Sequence, residues 1–133
     1  MPESLTISRL HQIALHATDL PTSKQFYEHI LGARFIAEFT PPGIVFFDFE
    51  GTRLLLEKGA GTGTIYFRVD DIDSAVTQLQ AKGIKFDQMP HIIFKDDDGL
   101  FGPKGYEECM AFFKDPAGNV LALASQRPTN SQA

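Results

Sequence analysis

A single cysteine, Cys109, stands in a chain of 133 residues, so no internal disulfide can form and a reducing, cytoplasmic setting is the expectation. Cys109 lies inside an apolar run and reads as a small core hydrophobe rather than a reactive thiol. There is no Lys/Arg cluster. With 12 basic residues against 17 acidic ones, the net charge of −5 excludes the electrostatic footprint of a nucleic-acid binder. No apolar run approaches the ~20 residues of a membrane helix. The opening Met1-Pro-Glu-Ser-Leu-Thr6 has neither the basic nor the apolar segment of a secretory leader. Gly59-Ala-Gly-Thr-Gly63 is too short, and too lacking in lysine, to cradle a phosphate, and reads as a linker. Asp96-Asp97-Asp98-Gly99 resembles a calcium loop but lacks its alternating spacing and the later glutamate, which leaves a solvated turn.

What is present is an ordinary globular composition, 43% hydrophobic and 22% charged, on a length that fits one domain. Leu10 to Ala17 alternates as a strand, with Ile13, Leu15 and Ala17 on one face and Gln12, Ala14 and His16 on the other. Asp19 caps a helix that opens on Leu20-Pro21, carries Phe26, Tyr27, Ile30 and Leu31 as its stripe, and ends at Gly32. Strands are expected over 34–39, 44–49 and 53–57. After the linker the pattern restarts with a strand over 64–69. Asp71 then caps a helix with its stripe at Ile72, Ala75, Val76 and Leu79, ending at Gly83. Strands near 85–89, 108–114 and 119–124 complete the second half.

The two halves superpose. Gln12-Ile-Ala-Leu-His-Ala-Thr-Asp19 lies over Thr64-Ile-Tyr-Phe-Arg-Val-Asp-Asp71, Gly32-Ala-Arg-Phe35 over Gly83-Ile-Lys-Phe86, and Gly51-Thr-Arg-Leu-Leu-Leu-Glu57 over Gly118-Asn-Val-Leu-Ala-Leu-Ala124. The fold expected is α+β: two tandem βαβββ modules, about 9–58 and 64–125, joined by linker 59–63 and followed by a polar tail, 126–133. One helix covers one face of each sheet, so the curved sheets are expected to enclose a shared cavity.

Met110-Ala-Phe-Phe-Lys-Asp-Pro-Ala-Gly-Asn-Val-Leu-Ala-Leu-Ala124 places two strand-forming arms around a proline–glycine turn. This hairpin resembles the closing hairpin of the vicinal oxygen chelate superfamily, which includes glyoxalase I, bleomycin-resistance proteins and extradiol dioxygenases. Leu10 to Leu20 resembles the family's opening strand, Phe26-Tyr27 with Leu31-Gly32 its first helix, and Ile65 to Ile72 the start of its second module. The resemblance spans about residues 9 to 125.

The resemblance implies a divalent metal held by His, Gln or Glu from the first and last strands of each module. Those positions fall on Gln12, Leu55, Thr64 and Ala122, with Glu57 two residues beyond Leu55 on the same strand face. Gln12 and Glu57 are thus the candidate metal ligands, while a Thr hydroxyl and an Ala methyl stand where His and Glu are expected. Glu57 and His91 are the candidate catalytic groups, His91 by returning toward the cavity from a long connection, 90–107, read as a lid. Gln12, His16, Tyr66, Arg68, Met110, Phe112 and Ala122 are the candidate ligand-binding residues. His11 is assigned to the helix-packed face or the rim. The function expected is binding of a small organic molecule with a depleted metal site. The alternatives are a metal-dependent lyase, epimerase or dioxygenase, and a dimeric interaction module. The resemblance also implies a homodimer; neither nucleic acid nor membrane is expected as a partner.

Overall fold

Burial alternates along the central strands, and that alternation decides which face of each sheet meets a helix. The computed structural model describes residue 5 and residues 7–129. The chain divides into two compact units, residues 1–61 and 62–133.

In the first unit, β1 (Gln12–His16) is followed by α1 (Leu20–Gln25), which runs into a π-helical turn (Phe26–Ile30), and then by β2 (Arg34–Phe39), β3 (Ile44–Phe49) and β4 (Thr52–Glu57). The Asp19 carboxylate accepts from the Thr22 amide and so caps α1. Gly32 leaves the helix at φ 71°, a conformation glycine adopts without steric cost. The sheet order is β1-β4-β3-β2, with β1 and β4 parallel and the other pairs antiparallel. Leu15, Val45, Phe47, Leu54 and Leu56 are buried with Phe26 and Tyr27 of the helix.

The second unit repeats the plan. β5 (Thr64–Arg68), α2 (Ile72–Ala81), β6 (Phe86–Asp96), β7 (Tyr106–Lys114) and β8 (Val120–Pro128) form a sheet of order β5-β8-β7-β6. Asp71 caps α2 by accepting from the Ser74 amide. Ile72, Val76 and Leu79 are buried with Cys109, Ala111, Phe113, Leu121 and Leu123. The result is two βαβββ modules in tandem.

Two expectations change here. The connection expected to run from 90 to 107 is half strand: β6 continues to Asp96 and β7 begins at Tyr106, which leaves residues 97–105 as the loop. The polar tail expected from Gln126 begins later, because Gln126, Arg127 and Pro128 pair with Glu108, Glu107 and Tyr106. Residues 130–133 of that tail lie outside the described residues, as do 1–4 and 6.

Candidate functional site

Residues paired across a sheet point to the same face, so the strand register sorts the candidate residues without further assumption. On the face of the second sheet turned away from α2, one row runs Tyr66, Ala122, Phe112, Gln88 and the next runs Arg68, Ala124, Met110, His91. Tyr66, Arg68, Met110, Phe112, Ala122 and His91 therefore share one surface. The Tyr66 and Phe112 rings meet edge to face, with centroids 6.2 Å apart, from strands on either side of Ala122. They close over that methyl group, and Ala122 is fully buried. The His91 ring lies 6.3 Å from Phe112. Its Nδ1–H donates to the Met89 carbonyl at 2.8 Å, which leaves Nε2 as the nitrogen carrying the lone pair. Arg68 is exposed and forms no ion pair among the described residues.

Next to this surface, Ile93, Phe94, Phe101, Glu108, Met110 and Gln126 line a depression of about 470 Å³. The Phe94 and Phe101 rings pack edge to face at 5.6 Å. Gln126 fixes the loop there, donating from Nε2 to the Phe101 carbonyl at 3.0 Å and also to the Glu108 carboxylate. Phe94, Phe101 and Gln126 were not among the residues expected from the sequence. Loop and tail positions carry no periodic signal, and only the extension of β6 and β8 brings them together.

The loop itself hangs on Asp96, which accepts from the amides of Leu100 (2.7 Å) and Phe101 (2.8 Å). Burial pushes this carboxyl up, but backbone N–H groups of Phe101, Leu100, Gly99 and Gly102 outweigh burial and hold it below its ordinary value of 3.8. Asp96 is thus a buried organiser of the loop, where a solvated turn was expected. Cys109 is buried in the core, and burial pushes its thiol up.

In the first sheet the face turned away from α1 carries Gln12, Arg53, Asp48 and Arg34 in one row and His16 with Glu57 in another. Arg53 donates from Nε to Gln12 Oε1 at 3.1 Å and from Nη2 to His11 Nε2 at 2.9 Å. His16 uses both ring nitrogens: Nδ1 donates to the Lys58 carbonyl at 2.9 Å, and Nε2 accepts from Thr18 Oγ1 at 3.1 Å. It ties the end of β1 to the linker. Glu57 borders a separate depression of about 320 Å³ with Leu20, Pro42, Gly43, Ile44, Lys58 and Gly59.

The family model described as the Glyoxalase/Bleomycin resistance protein/Dioxygenase superfamily matches residues 9–123. The chain belongs to this superfamily. It is similar to the uncharacterized protein YaeR of Escherichia coli, being 29% identical over 121 residues that cover 72% of this chain and 94% of YaeR. Among solved structures, lactoylglutathione lyase from Agrobacterium tumefaciens matches with a TM-score of 0.69 at 23% identity, covering 90% of this chain and 94% of that one. TnmS3, an antibiotic binding protein from Streptomyces, matches with a TM-score of 0.68 at 22% identity, covering 93% and 100%. At these identities the structural likeness shows the fold.

Superfamily membership raises the question of a divalent metal, and the residues at the implied positions do not fit one. Leu55, Thr64 and Ala122 offer two hydrocarbon side chains and a hydroxyl. At the remaining position, the Gln12 oxygen already accepts from a guanidinium whose charge would repel a cation. Glu57 stands four residues along β4 from Arg53, the partner of Gln12, so the two candidate ligands are about 13 Å apart. Among the described residues no three His, Cys, Asp or Glu side chains gather as a metal site.

Proposed function

We propose that this superfamily member binds a small organic molecule on the aromatic face of its second module and does so without a resident metal. The observation that carries the reading is the Tyr66–Phe112 pair closed over Ala122, flanked by His91, Met110 and Arg68. Two ring edges, a thioether and a half-buried apolar floor suit a flat hydrophobic ligand. Arg68 supplies a cation for a polar substituent, and His91 Nε2 supplies an acceptor. The fold shared with an antibiotic binding protein supports a ligand of foreign origin. The fold shared with a lyase supports the enzyme alternative, but that alternative would work through Gln12 and Glu57, which stand apart.

A homodimer belongs to this reading. Met89, Ile92, Ile93 and Phe94 are exposed on β6, the edge strand of its sheet, and Leu100 and Phe101 on the loop beside it. A cytoplasmic location suits the one buried thiol. No helix among the described residues is long and apolar enough to cross a membrane.

The test is a saturation-transfer NMR screen of aromatic compounds against the wild type and Phe112→Ala. Hits are expected to lose about tenfold or more in affinity in the variant, because the ring supplies stacking area that alanine lacks. Equal affinity in both proteins would move the site elsewhere.

A further inference from the structure

Arg53 is a cation without an acid. On the face of the first sheet turned away from α1, its two hydrogen-bond partners are neutral acceptors, Gln12 Oε1 at 3.1 Å and His11 Nε2 at 2.9 Å. It forms no ion pair among the described residues. Asp48, its neighbour in the cross-strand row, is committed elsewhere: it pairs with Arg34 Nη1 at 3.3 Å and accepts from the Gly51 amide at 3.1 Å. A guanidinium has five N–H donors, so the two bonds leave Nη1 and part of Nη2 unengaged.

The side chain is also fixed in place. The guanidinium carbon lies 5.8 Å from the centroid of the Phe46 ring, and Phe46 packs edge to face with Phe39 at 6.1 Å. Leu55 and Ala14 continue the same face beside Phe46. A long side chain pinned by two acceptors and a ring has already lost the rotamer freedom that binding would otherwise remove. Its free N–H groups keep the planar fork that matches two carboxylate oxygens.

We propose that Arg53, oriented by Gln12 and His11, is an anion-binding site on the first module that takes the carboxylate of a small aryl or alkyl acid. The apolar body of the acid lies along Phe46, Leu55 and Phe39. The position where the superfamily resemblance implied a cation therefore carries a built-in positive charge, and its ligand is of opposite sign. This site is built from residues of β1 and β4 and shares none of the residues that make the Tyr66–Phe112 surface, so either reading can fail without the other.

The experiment is an NMR titration of the whole labelled protein with benzoate, and with benzyl alcohol as its uncharged counterpart. Benzoate is expected to shift the Arg53 Nε–H resonance together with β1 and β4 amides, and to bind about tenfold more tightly than benzyl alcohol. That preference disappears in Arg53→Met and is partly kept in Arg53→Lys. Gln12→Ala, which keeps the charge but frees the guanidinium, weakens benzoate several-fold and guards against misreading an Arg53 variant that folds poorly. Equal binding of the two probes, an unchanged preference in Arg53→Met, or no binding of benzoate overturns the proposal. If benzoate moves only Tyr66 and Phe112 resonances, this site is overturned and the reading for the second module stands.

Discussion

Asp96 shows how much one buried carboxylate can organise. Backbone amides of Leu100 and Phe101 converge on it, and the Gly99 and Gly105 amides donate to its carbonyl. Because its folded pKa lies below the ordinary 3.8, its contribution to stability is full above that value and is lost as pH falls through the lower folded value. In Asp96→Asn this acid-dependent loss should vanish, and the Leu100 and Phe101 amides should exchange faster with solvent at neutral pH; thermal melts across acid pH and hydrogen exchange measure the two. The sequence Asp96-Asp97-Asp98-Gly99 was legible as a turn but not as a buried one, because three adjacent aspartates look alike until the strand ends at the first of them. Asn119 makes the same point in the hairpin turn. Its Oδ1 accepts from the half-buried Gly63 amide at 3.0 Å and its Nδ2 donates to the buried Asp115 carboxylate at 2.8 Å, and Asn119 itself is fully buried. Asn119→Ala should cost about 2 kcal/mol in denaturant melts, since it removes both the acceptor of the Gly63 amide and a donor to the Asp115 carboxylate. Cys109, with its thiol pushed up by burial, should resist alkylation in the native protein and react only after unfolding.

The internal repeat is visible in which side chains carry the two cores. Phe47 pairs with Leu54 in β3 and β4, and Phe113 pairs with Leu121 in β7 and β8. Phe35 meets Phe47 at 6.0 Å, and Phe86 meets Phe113 at 5.0 Å. The superposed glycine turns align Leu54 with Leu121 and Phe35 with Phe86, and the strand register brings Phe47 and Phe113 into correspondence, so the duplication seen in the sequence is a duplication of packing. Phe47→Ala and Phe113→Ala should each cost about 3–5 kcal/mol, the range for a fully buried ring replaced by a cavity; chemical denaturation is the measurement. The first helix, the capping aspartates and most strands were legible because period and punctuation agreed. Of β6 only the start, near 85–89, was legible, and the reason its continuation was not is physical. It is an edge strand with Pro90 in its middle and register shifts between 86 and 88, 88 and 91, and 92 and 94. Each shift breaks the alternation by which a strand is recognised, and an edge strand tolerates the proline that would argue against a central one.

At the scale of the whole molecule, that same strand is the edge on which the proposed dimer is argued. Met89 to Phe94 contains no charged residue, and four of its side chains are between 39% and 52% exposed. An exposed apolar stretch without charge invites a partner surface, even on an edge strand that a proline and bulges interrupt. The dimer within the proposed function would use this edge, which adjoins the depression formed by Ile93, Phe94 and Phe101. The register explains why candidate residues were legible in the sequence while their arrangement was not. Tyr66, Arg68, Met110 and Phe112 could be placed on one face by counting alternate residues. The meeting of Gln12 with Arg53 needed the parallel pairing of β1 with β4, which no local pattern specifies. Sedimentation equilibrium should show the wild type as a dimer. Ile93→Lys, which places a charge on the exposed edge and leaves the Phe86–Phe113 contact untouched, should shift it toward monomer with little change in melting temperature. A wild type that sediments as a monomer removes the dimer, and with it the reason for leaving Met89 to Phe94 uncharged.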